Sequence, residues 1–194
     1  MKGSRPLTLE EIQEISQSFF GKYEVRDRCL FTIGINTGAR ISELVNLNVG
    51  DVWQHGRPVD LLALRKSTTK GKKARVIPLN DAAKEAVEEL VEWKRTQEEF
   101  LDPGAALFVS RKGGRLTRQQ THNILKGAFE GNELQGKVTT HSLRKTVATT
   151  LHSRGIPLGV IQEVLGHESV ATTRKYIAVS LSELTEAMGR LAYG

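Results

Sequence analysis

The stretch HSLRKTVATTLHSRGIPLGVIQEVLGHESVATTRKYI runs from His141 to Ile177, and apolar residues recur in it at helical spacing three times. The patterns span Ser142 to Arg154, Leu158 to Leu165 and Val170 to Ile177, punctuated by Gly155-Ile156-Pro157 and by Gly166. His141 and Arg144 are three residues apart, so one helix face presents both to the same anion, and a helix N-terminus beside them adds partial positive charge. Leu165-Gly166-His167 and Tyr176 follow. From Leu151 to Tyr176 the helix, glycine-containing turn and helix resemble a helix-turn-helix reader of DNA; plain helix packing accounts for the same pattern. Tyr176 by itself reads equally as a half-buried core aromatic.

Upstream, Thr8-Leu9-Glu10-Glu11 is a capping-box pattern that opens a helix running to about Phe20. A second helix is predicted from Glu24 to Asn36, broken by Thr37-Gly38, and Arg40 begins a short one through Leu44. Val59 to Leu64 and Ala74 to Leu79 read as two strands of a small antiparallel hairpin, with Pro78 marking an end or an edge. Asn80 caps a long helix to about Glu98, and Thr117 to Phe129 is helical. Ser180-Leu181-Ser182-Glu183 opens a last helix over about 180–192, with Leu181, Leu184, Met188 and Leu191 on one stripe. The expected fold is mostly α with a small antiparallel β-sheet, an α+β arrangement within a single domain over 1–194 whose core spans about 7–177.

The composition is that of a globular protein, and no apolar run approaches the roughly 18 residues a membrane span needs. A cytoplasmic protein is expected. The lone Cys29 sits in an apolar helical pattern and reads as a core thiol. The 28 Lys and Arg outnumber the 22 Asp and Glu, which favours a polyanionic partner. Between Leu61 and Leu79 stand Arg65, Lys66, Lys70, Lys72, Lys73 and Arg75 with no acidic residue among them. Such a run fits a surface that tracks phosphates. The five histidines are scattered without cysteine partners, so no metal site is expected, and no Gly-x4-Gly-Lys cradle for a nucleotide is present.

Thr37-Gly38-Ala39-Arg40-Ile41-Ser42-Glu43-Leu44, Lys70-Gly71-Lys72-Lys73-Ala74-Arg75-Val76-Ile77-Pro78-Leu79, His141-Ser142-Leu143-Arg144, Leu165-Gly166-His167 and Tyr176 occur in the order that the tyrosine recombinases, or phage integrase family, show. The resemblance covers about Leu7 to Ile177. It implies a helical catalytic domain that cleaves and rejoins double-stranded DNA without metal, nucleotide or other cofactor. By that likeness Tyr176 is the nucleophile, Arg40 and Arg144 clamp the non-bridging oxygens, and Lys70 protonates the leaving 5′ oxygen. His141 shuttles the tyrosine proton, His167 donates to the phosphate, and Glu43 orients its neighbours. Arg65, Lys66, Lys72, Lys73 and Arg75 become contacts to DNA. The last helix would either pack on its own domain or join protomers into a tetramer on paired sites, and in the second case the protein could be monomeric in solution. Members usually carry a further helical domain of clamping function ahead of this one, which the chain as given lacks. The same residues would serve a topoisomerase-like relaxation of strands, and a regulator using only the helix-turn-helix segment is the reading from another class.

Overall fold

A computed structural model of the chain describes residues 3–65 and 74–174, together with Thr185, Met188 and Gly189. Among these residues the order is α1 (Leu9–Gln17), α2 (Glu24–Thr37), α3 (Ile41–Leu44), α4 (Val49–Val52), β1 (Trp53–Gln54), β2 (Arg57–Pro58), β3 (Leu61–Leu64), β4 (Arg75–Pro78), α5 (Asp81–Thr96), α6 (Arg118–Gly131), α7 (Thr140–Ser153), α8 (Leu158–Leu165) and α9 (Val170–Arg174). The described residues are mostly helical with two small antiparallel sheets.

Helix α2 is the centre of the packing. Cys29, Leu30, Phe31, Ile33 and Gly34 are buried on several of its sides, and it packs against α5 on one flank and α7 on another. From Cys29 onward the helix is buried on several sides, although its first turns carry Glu24, Arg26, Asp27 and Arg28. Gly34 allows the close approach of α7, since a side chain there would reach Leu143 Cδ1 at 3.0 Å. Cys29 is buried as expected of a core thiol, and burial pushes its pKa above the ordinary value. Among the described residues no helix is long and apolar enough to cross a membrane.

The helix starts follow their caps. Thr8 and Glu11 close the capping box of α1, Asn80 accepts from the Ala83 amide at the start of α5, and Thr117 with Gln120 caps α6. Helix α7 begins at Thr140 rather than Ser142, because Thr139 is the cap and Ser142 is the residue whose side chain reaches back to the Thr139 amide. Helix α5 stops at Thr96, two residues earlier than expected, and Glu98 takes a left-handed φ of 53°. The expected extension of α9 to Ile177 and most of the helix over 180–192 lie outside the described residues.

In place of one sheet, the described residues form two. Trp53 pairs with Pro58 and Gln54 with Arg57 in a hairpin the sequence pattern did not suggest, because its turn is His55-Gly56, both at positive φ, and histidine is not a usual residue there. The expected hairpin is β3 against β4, with Leu62 opposite Ile77 and Leu64 opposite Arg75. Alternation buries Leu62 and Leu64 on one strand and Ile77 and Arg75 on the other.

A second, smaller core joins α7 to α8 through Val147, Ala148, Ile161 and Leu165. It fixes where α8 ends. Gly166 closes α8 in the left-handed region, and Gly38 closes α2 the same way at φ 61°, with Leu165 packed over it. A methyl on Gly38 would come within 2.7 Å of Leu165 Cδ2. Gly38→Ala therefore combines left-handed strain with crowding, and should destabilise the protein by about 1–3 kcal/mol. A urea titration checks this through a lower midpoint at unchanged slope.

Candidate active site

Helices α3, α6 and α7 all begin at one cleft of about 370 Å³, lined by Arg40, Ile41, Ser42, Arg118, Thr140, His141, Arg144, His167 and Thr172. None of these is acidic, and neither α6 nor α7 has an acidic residue in its first turn. The acid-free N-termini of α6 and α7, three arginines and two histidines thus meet where a negative group would be stabilised.

Arg40 is the cap residue of α3. Its amide donates to Glu43 Oε2 at 2.6 Å, its Nη1 to Glu43 Oε1 at 2.9 Å, and its Nη2 to the Gly166 carbonyl at 2.8 Å. The guanidinium is held on two sides while 23% of the side chain stays exposed toward the cleft. Pairing with Glu43 and lining of the cleft coexist in Arg40.

Glu43 is buried beneath this edge and receives both Nη1 and Nη2 of Arg75, at 2.8 and 2.9 Å. Burial by itself would raise its pKa. Hydrogen bonds from Arg75 and the Arg40 amide, with the charges of both arginines, reverse that and hold the carboxyl at about 2.

Arg144, 4% exposed, reaches through α7 to the turn residues. Its Nη1 donates to the Gly38 carbonyl and its Nη2 to the Leu165 carbonyl at 2.8 Å. The same Nη2 lies 2.9 Å from His167 Nε2. A guanidinium has no lone pair to offer, so His167 Nε2 accepts, and Nδ1 carries the proton toward Thr173 Oγ1 at 3.0 Å. His167 is thus a neutral ring between a cation and a hydroxyl. Desolvation first, then the charges of Arg144, Arg40 and Arg75, lower its pKa to about 4. In this arrangement its ring nitrogens serve Arg144 and Thr173.

His141 stands exposed in the first turn of α7, where its amide donates to the Thr139 cap. Arg118, also exposed, was not singled out in the sequence. The signal for it was slight: a basic residue directly after a Thr117 cap, in a chain already expected to meet a polyanion. Thr173 was missed as well, for nothing in its spacing marks it as the partner of His167.

The basic run divides. Arg65 is exposed and ion-paired to Asp51 at 2.6 Å, so it is accessible to a partner. Arg75 corrects the expectation that it contacts DNA: it is 8% exposed and directed inward. The reason is strand alternation, since a register that buries Ile77 also buries the residue two positions before it. Lys66, Lys70, Lys72, Lys73 and Tyr176 lie outside the described residues.

The fold is mostly helical, and the cleft gathers three arginines with no acidic lining residue. The phage integrase family model matches residues 5–183, and the chain belongs to that family. It is 33% identical over 186 residues to the tyrosine recombinase XerC of Caldanaerobacter subterraneus subsp. tengcongensis, covering 95% of this chain and 50% of that protein. With the tyrosine recombinase XerD of Mycobacterium leprae it shares 33% identity over 192 residues, 94% of this chain and 59% of the relative. The chain thus spans about half to three-fifths of the length of these curated relatives. Among solved structures it resembles the XerA recombinase, with a TM-score of 0.76 at 26% identity over 97% of this chain and 65% of that one. It also resembles the XerH site-specific recombinase bound to a palindromic difH substrate in a post-cleavage complex, with a TM-score of 0.76 at 27% identity over 97% of this chain and 54% of that one.

Two pH effects follow from the site with the same sign. Folded His167 holds its proton less tightly than its ordinary 6.5 allows, so its contribution to stability is complete above pH 6.5 and lost as pH falls toward 4. The contribution of Glu43 is complete above its ordinary 4.5 and lost as pH falls toward 2. NMR titration of the imidazole signals should give His167 a midpoint near 4. A midpoint at or above the ordinary 6.5 would contradict the pairing with Arg144.

Proposed function

We propose that this chain is the catalytic part of a tyrosine recombinase that cleaves and rejoins double-stranded DNA through a covalent 3′-phosphotyrosyl intermediate. The observation that carries the proposal is the convergence of Arg40, Arg144, His141 and His167 on one cleft without an acidic lining residue. The family membership and the recombinases among its relatives support it. Tyr176 Oη attacks the phosphorus, the bond to the 5′ oxygen breaks, and Lys70 gives that oxygen its proton. His141 takes the tyrosine proton. The phosphotyrosyl ester keeps the energy of the diester, so a 5′-hydroxyl from another strand reverses the step without a cofactor.

Arg40 and Arg144 meet the charge that grows on the non-bridging oxygens in the transition state. Their arrangement ahead of the substrate is what makes them effective, because no reorganisation is needed at the moment of reaction. His167 acts in this scheme by holding Arg144, with Thr173 fixing its tautomer. Arg118 on the cleft rim, Arg65, and Lys66, Lys72 and Lys73 of the basic run supply backbone attraction to the duplex. The last helix joins protomers into a tetramer on paired sites, its apolar stripe docking on a neighbour.

A nicked suicide substrate, from which the leaving 5′ fragment diffuses away, should trap a covalent protein–DNA adduct on a denaturing gel. Tyr176→Phe should bind DNA and give no adduct; adduct of normal yield would contradict the assignment. Arg40→Ala and Arg144→Ala should each slow single-turnover cleavage on the order of 10²-fold or more, with much smaller losses in binding. Lys70→Ala should be slow on an ordinary diester and largely restored on one with sulfur at the 5′ bridging position, since a thiolate leaves without an acid. Equal defects on the two substrates would make Lys70 a phosphate contact only.

A further inference from the structure

Arg75 is as buried as the core apolar side chains around it, yet its three guanidinium nitrogens are all engaged. Nη1 and Nη2 take both oxygens of Glu43, and Nε donates to the Val164 carbonyl at 2.8 Å. Val164 is the first of three consecutive carbonyls at the end of α8, each of which accepts from a different arginine. Leu165 accepts from Arg144 and Gly166 from Arg40, also at 2.8 Å. The three arginines come from β4, α7 and the turn before α3. The negative end of the α8 dipole is therefore where they are indexed against one another.

Arg75 does not line the cleft, and Gly166 packs flat on it: a Cβ at Gly166 would stand 2.9 Å from Arg75 Nη1 and 3.0 Å from its Cδ. A cation placed this close to Arg40 in a poorly solvated region is costly unless something is gained. Two gains are visible. Glu43 alone with Arg40 would make a neutral pair, and Arg75 returns the positive charge that the carboxylate removes. Held by a two-pronged contact, the carboxylate also cannot turn, so its remaining lone pairs fix the Arg40 amide and Nη1.

We propose that Arg75 is a positioning residue for strand cleavage, which locks Glu43 and α8 so that Arg40 faces the cleft with its charge uncompensated. The proposal rests on the recombinase reading given above. It replaces a role in binding DNA with one in the chemical step.

The experiment compares Arg75→Met and Arg75→Lys with the wild-type chain on the nicked suicide substrate, at saturating DNA, alongside duplex affinity across a salt series. Arg75→Met should slow adduct formation by about tenfold or more at saturation. Its duplex affinity should stay within about twofold, with the slope of log K against log salt unchanged, because no phosphate contact is lost. Arg75→Lys keeps a charge but cannot span both Glu43 oxygens and Val164, so it should recover only part of the rate. Normal rate at saturation with weaker binding and a salt slope reduced by about one would show a direct phosphate contact and overturn the proposal. A wild-type rate for Arg75→Lys would overturn it too.

The Arg40 guanidinium resonance, followed by ¹⁵N NMR without DNA, gives a readout independent of activity and of a poorly folding Met variant. It should shift or broaden in Arg75→Lys while the amide spectrum keeps its folded dispersion, and an unchanged Arg40 signal would count against the positioning role. Absence of adduct from the wild-type chain would instead defeat the recombinase reading, and the Arg40 resonance would then decide the positioning claim alone.

Discussion

A single buried carboxylate, Glu43, makes the rest of the site possible. Arg40, Arg75 and Arg144 cannot be gathered behind one small cleft without mutual repulsion, and burial strengthens that repulsion. Glu43 accepts from the Arg40 amide and side chain and from both prongs of Arg75, and the end of α8 supplies three carbonyls to the three guanidiniums. Arg40 and Arg144 are thus held by groups behind them, and the cleft they line has no acid among its lining residues. A charged carboxylate is maintained there because two guanidiniums outweigh its loss of hydration.

The small core of α7 and α8 sets the height of this arrangement. Leu165 is buried against Val147 and covers Gly38, so the turn that presents Arg40 and the turn that presents His167 are pressed together by one side chain. Both turns close in the left-handed region on a glycine, which is why Thr37-Gly38-Ala39-Arg40 and Leu165-Gly166-His167 read as fixed phrases although they are far apart in the chain. At Gly166 the constraint is doubled, since the side of Arg75 occupies the space a Cβ would need. Packing, backbone conformation and charge are therefore satisfied by the same few residues.

Much of the helical frame was legible in the sequence because its caps are strong: Thr8 with Glu11, Asn80, and Thr117 with Gln120 sit where their helices begin. The convergence of Arg40, His141, Arg144 and His167 was legible only through family resemblance, as no local rule brings a turn at 38–40 to a helix end at 165–167. Arg75 was misread because a run of basic residues was taken as one surface, while the strand period that buries Ile77 already turned it inward. The hairpin at His55-Gly56 escaped for lack of a usual turn pair, and the tautomer of His167 depends on contacts with Arg144 and Thr173 that only the folded chain creates. What the sequence could not carry was long-range register.

On the proposed mechanism, Glu43 serves strand cleavage by holding Arg40 and not by contacting DNA. Glu43→Gln keeps the size of the side chain and removes its charge and one of its acceptor oxygens. Its single-turnover rate of covalent adduct formation at saturating nicked DNA is the most direct measure. The rate should fall by about tenfold or more at saturation, with duplex affinity unchanged or slightly raised by the lost negative charge. Wild-type cleavage by a folded Glu43→Gln protein would contradict it.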